Sequence, residues 1–109
     1  VYVYRSNTQS YWLAQHILNA IVERVGIRDN GVRLNPSLYV LRRTTMPAAL
    51  VELGYLSNAS DAQKLRDDQR GFAQGIYNGL LSYFGFSKYK STHMELFFPC
   101  IVIDNFIFY

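Results

Sequence analysis

Ala48-Ala49-Leu50-Val51-Glu52-Leu53-Gly54 is an apolar run interrupted by one carboxylate and closed by a glycine. Its near-continuous hydrophobicity predicts a strand covered on both faces. Side chains alternate along a strand, so Leu50 and Glu52 share one face while Val51 and Leu53 take the other. Gly54 ends the run, which places Glu52 near the carboxyl end of the strand. That is the edge where open α/β sheets build their sites. A carboxylate in such surroundings is expensive to bury unless it is paired or needed. Physics alone leaves two readings level: a functional acid, or a structural Glu paired with Arg42 or Arg43.

Working outward from this run, Leu38 to Arg42 reads as a second strand, and Asp29-Asn30-Gly31 as a turn. Further upstream, Leu13, Ile17, Leu18, Ile21 and Val25 recur at helical spacing, with Gly26 where a helix would stop. The polar stretch Ser6 to Ser10 offers several caps for that helix. His16 falls on its polar face and reads as a solvated surface residue. Val1 to Arg5 is β-branched and aromatic, hence a strand. The chain thus opens inside a regular element, with no initiator Met and no signal peptide, as expected of a fragment.

Downstream, Asn58 or Ser60 can cap a short helix, with Ser60 and Gln63 spaced as a capping box. Asp67 or Asp68 can cap a last helix running through Phe84, whose stripe is Phe72, Ala73, Ile76, Tyr77, Leu80 and Phe84. Gly71, Gly75 and Gly79 lie four apart on it. Each costs about 1 kcal/mol relative to Ala in a helix interior. Such a row of small residues suits close packing, with the sheet as the expected neighbour. Residues 1–86 therefore read as one unit and 87–109 as an unassigned tail. The tail holds the β-prone run Leu96 to Ile103, an aggregation hazard if exposed.

Composition sets outer bounds. With 109 residues, half of them hydrophobic, there is material for one small domain. The net charge of +3 is scattered. Without a basic stripe interleaved with aromatics, nucleic acid is a poor partner. No apolar stretch reaches the ~20 residues needed to span a membrane. Cys100 is the single cysteine, which excludes an intrachain disulfide and a cysteine-rich zinc site.

Two stretches carry a resemblance: Tyr39-Val40-Leu41-Arg42, and Met46-Pro47-Ala48-Ala49-Leu50-Val51-Glu52-Leu53-Gly54-Tyr55-Leu56-Ser57-Asn58. Together they closely resemble the C-terminal motif of zinc-dependent N-acetylmuramoyl-L-alanine amidases. The likeness reaches back through Asp29 to Val32 and the Ser10–Gly26 helix, and forward to Phe84, covering most of residues 1–86. It implies an α/β fold with a mainly parallel sheet between helices in three layers, here partial, with the N-terminal strands missing. It also implies cleavage of the amide between N-acetylmuramic acid and L-alanine in peptidoglycan, outside the cell or in the periplasm.

Under that resemblance Glu52 matches the catalytic carboxylate. Zn2+ would be held in the intact enzyme by two His and one Glu in upstream motifs, none of which occurs in this chain. Neither His16 nor His93 forms a ligand pair, so the fragment is expected to bind no metal and to be inactive alone. Arg42 is a candidate for the carboxylates of the substrate's stem peptide, although surface charge is the slightly preferred reading. Two alternatives remain. One is a module that grips cell-wall glycan without cutting it. The other is a truncated remnant with an unrelated tail, marginal in stability because a sheet edge is left bare.

Overall fold

The computed structural model of the chain describes residues 1–55, 57–90 and 99–104. Its elements follow in order: β1 (Tyr2–Val3), α1 (Gln9–Val25), β2 (Arg33–Leu34), α2 (Tyr39–Arg43), β3 (Ala48–Glu52), α3 (Ala59–Asp67), α4 (Gln69–Lys90) and β4 (Cys100–Asp104). The four strands form one sheet in the order β2-β1-β3-β4. β1 pairs parallel with β2, β3 pairs parallel with β4, and the central β1–β3 contact is antiparallel. The sheet is thus mixed and mostly parallel, flanked by helices, as the sequence implied.

The helices begin and end where local chemistry dictates. Thr8 caps α1, its hydroxyl accepting from the Tyr11 N–H at 3.2 Å. Gly26 closes it in the left-handed region (φ 78°), donating its N–H to the Val22 carbonyl. Between α1 and β2, the Asp29 carboxylate accepts from the Gly31 N–H, fixing the anticipated turn. Asn58, rather than Ser60, caps α3 through the Asp61 N–H. Asp68 ends α3 and opens α4, where its carboxylate accepts from the Gly71 N–H. Helix α4 then continues past Phe84 to Lys90, since no proline interrupts it.

Leu38 to Arg42 is not a strand. Residues Tyr39–Arg43 form the single helical turn α2. The Asn35 carboxamide accepts from both the backbone and the hydroxyl of Ser37, and Leu38 donates back to the Asn35 carbonyl. This turn feeds the chain into a helical sense, which Arg42 N–H to Leu38 C=O then continues. Five residues are too few for hydrophobic periodicity to separate the two states.

The core lies between one face of the sheet and the helices α1, α3 and α4. Val3, Ala49, Val51 and Leu53 come from the strands. They meet Leu13, Ile17 and Ile21 of α1, Leu65 of α3 and Phe72 of α4. The face bearing Tyr2, Leu50 and Glu52 is partly exposed, so β3 is covered on one face rather than on both. Within the glycine row of α4, Gly75 and Gly79 pack on α1, not on the sheet, while Gly71 lies against the Asp68 carboxylate. A Cβ at Gly75 would stand 2.9 Å from the Ile21 Cα, and one at Gly79 would stand 2.5 Å from the Ile17 Cα. Backbone meets backbone there, which no larger residue permits. In the tail, Leu96 to Phe98 lie outside the described residues. Pro99 leads into β4, where Cys100 donates its N–H to the Pro47 carbonyl.

Candidate functional site

The alternation read from β3 places Glu52 as anticipated. Val51 and Leu53 enter the core while Leu50 and Glu52 take the opposite face. Glu52 is half-buried rather than enclosed, at the carboxyl end of the strand. It opens onto a cleft of about 510 Å³. The cleft walls come from the start of β1, the loop after α1 from Gly26 to Gly31, Arg33 of β2, the β3 end from Glu52 to Tyr55, and the first turns of α3.

Several of these walls are pinned by hydrogen bonds. The Asp61 carboxylate accepts from the Tyr55 N–H at 3.0 Å. Lys64 reaches across and donates through Nζ to the Gly26 carbonyl at 2.8 Å, tying the end of α1 to α3. Gly54 turns the chain out of β3 at φ 156°, and a Cβ there would lie 3.2 Å from the Asp61 Cβ. The positive φ favours glycine next to the Glu52 strand end, and a side chain there would also have to push Asp61 aside by a few tenths of an ångström.

Glu52 makes no ion pair among the described residues. The ion pairs there are Arg24–Asp68 at 3.5 Å and Arg66–Asp67 at 3.7 Å. The structural alternative, a Glu52 locked onto Arg42 or Arg43, therefore finds no contact. Arg42 does not line the cleft. It lies exposed on α2, its guanidinium carbon 5.9 Å from the Tyr39 ring centroid. His16 is not a solvated surface residue. It is half-buried at the α1–α4 seam, with Nδ1 2.7 Å from the Ser82 hydroxyl and its ring edge-on to Tyr83. Burial lowers its pKa. His93 lies outside the described residues.

Sequence reading did not single out Arg33. Its strand is only two residues long, too short for the Val32-Arg33-Leu34 alternation to mark it before β1 supplies a pairing partner.

A zinc ion asks for about four donors, commonly imidazole, thiolate or carboxylate. The acidic side chains among the residues lining the cleft are Glu52 and Asp61; no imidazole or thiol stands with them, and Asp61 already holds Tyr55. Among the described residues no three His, Cys, Asp or Glu side chains converge. The donor set does not fit zinc.

Comparison with known proteins identifies the family. Residues 1–82 match the N-acetylmuramoyl-L-alanine amidase family. The chain is 35% identical over 88 residues to an uncharacterised cell wall amidase of Bacillus anthracis, an alignment covering 79% of the chain and 16% of that relative. It is 38% identical over 74 residues to the N-acetylmuramoyl-L-alanine amidase LytC of Bacillus subtilis, covering 66% of the chain and 15% of the relative. It is 36% identical over 86 residues to the probable cell wall amidase LytH of Staphylococcus aureus, covering 77% and 28% respectively. The chain thus spans less than a third of each of these relatives. No solved structure matches it. The match runs through the Glu52 strand, its following turn and the helices behind them, and the chain belongs to the N-acetylmuramoyl-L-alanine amidase family.

Proposed function

We propose that the full-length protein hydrolyses the amide bond between N-acetylmuramic acid and L-alanine in peptidoglycan, with Glu52 as its proton carrier. One observation carries the reading: a half-buried carboxylate, without an ion-pair partner among the described residues, at a strand's carboxyl end and open to a cleft. Such a group is reachable by water and by substrate, yet fixed by the strand that bears it. Glu52 takes a proton from the attacking water as the new C–O bond forms. It returns that proton to the alanine nitrogen as the C–N bond breaks. The products are a carboxylate on the muramyl side and a free amine on alanine. The zinc of the intact enzyme is proposed to be held by residues outside this chain. Peptidoglycan as substrate places the protein at the cell wall or in the periplasm. No helix among the described residues is long and apolar enough to cross a membrane. Arg42 is proposed as a peripheral contact for the stem peptide, carried by its exposure and its cationic fork.

The test is Glu52→Gln in the full-length protein. Muropeptide release should fall by roughly 10²–10⁴-fold while zinc content is unchanged. Turnover close to that of the unaltered protein would remove Glu52 from the reaction.

A further inference from the structure

The cleft contains a second charged group placed as deliberately as Glu52, and the sheet register shows how. Tyr2 pairs with Arg33 on one side and with Leu50 on the other. Directly paired residues present their side chains to the same face of a sheet. Arg33, Tyr2 and Leu50 therefore form one row across three strands. Glu52 lies two residues beyond Leu50 on the same face. With strands ~4.8 Å apart and ~3.3 Å per residue, the Arg33 and Glu52 Cα atoms stand roughly 12 Å apart. Long side chains from those positions reach into one cleft, and both residues line it.

The other cations of the cleft differ from Arg33. Lys64 is held by the Gly26 carbonyl. Arg28 sits on the loop after α1, not on the sheet. Arg33 is exposed and makes no ion pair with any described residue. Its Nε is tethered to the Asn30 carbonyl at 3.4 Å. That contact orients the stem of the side chain and engages neither terminal nitrogen. A guanidinium held at Nε with its two outer nitrogens open is a fork for a carboxylate.

We infer that Arg33 binds a carboxylate of the stem peptide, and so fixes the scissile amide over Glu52. This rests on the amidase reading and extends it to the substrate's anionic group. A substrate lying along the Arg33–Leu50 row places a charged group at one end and the reacting bond at the other. Arg33 is then a positioning and specificity residue that touches the peptide and takes no part in proton transfer. It also displaces Arg42 as the principal anion contact.

Binding and turnover separate the two levels of the argument. Full-length protein carrying Glu52→Gln is titrated calorimetrically with a muramyl dipeptide bearing a free carboxylate, and with the same compound as its carboxamide. The acid should bind tighter by on the order of tenfold, the size of one charge-assisted pair. Adding Arg33→Ala should erase that preference, whereas adding Arg33→Lys should keep part of it. Raising the salt concentration should shrink it. Equal binding of the two compounds, or a preference that survives Arg33→Ala, overturns the inference. Failure of the amidase reading shows elsewhere, as absence of muropeptide release by the unaltered protein, and leaves the binding comparison readable.

Discussion

His16 illustrates how a single side chain records its neighbours. It lies between α1 and α4, bonded to the Ser82 hydroxyl, and burial lowers its pKa. The unfolded chain therefore binds a proton at His16 more readily than the folded one. The stabilisation linked to this is present above the ordinary histidine value of ~6.5, and is lost as pH falls through the folded value. Replacing His16 with Gln should flatten the pH dependence of the urea midpoint below about pH 6.5, read from denaturation curves across that range. An unchanged slope would exclude His16 as its source. At this scale the sequence was legible wherever a residue contradicted its surroundings. Glu52 stands out because it interrupts an apolar run. Arg33 lies between Val32 and Leu34 in a strand too short to read from sequence, and only the Tyr2 pairing gives it a direction.

Elements were legible in proportion to their length. Helix α1, with 17 residues, displays several turns of periodicity and is closed by a glycine. Helix α2 spans five residues, and its β-branched and aromatic content mimics a strand until the Asn35 turn is seen. The glycine row of α4 was visible, but its partner was not: spacing shows which face is small, not what lies against it. The contact with α1 yields a paired prediction. Gly79→Ala drives a methyl into the Ile17 backbone and should destabilise by roughly 1–3 kcal/mol. Gly85 stands on the same helix with nothing within 4 Å of a new Cβ. Gly85→Ala should therefore stabilise by up to about 1 kcal/mol. Chemical denaturation of the two variants side by side checks the sign difference, and equal effects would remove the close approach as the cause.

For the whole molecule, the sheet joins segments from both ends of the chain. The apolar tail, which sequence reading left unassigned, contributes β4 and covers the edge of β3 along Ala48 to Glu52. Pairing of segments so far apart along the chain cannot be read from either segment alone. It leaves Ile103 exposed at 43% on the outermost strand, an apolar edge position of the kind that recruits other chains. The 109-residue chain should self-associate, and Ile103→Lys should reduce light scattering without altering the melting transition. Scattering that ignores the substitution would place the sticky surface elsewhere.

The seam between α1 and α4 has one more effect. Where main chain rests on main chain, no long side chain is available to act as a bearing, so the two rods slide or tilt only together. Any adjustment around the cleft therefore falls to the segment 26–31 and to Gly54, Tyr55 and Asn58 that line it, and the scaffold behind them stays as a rigid anvil.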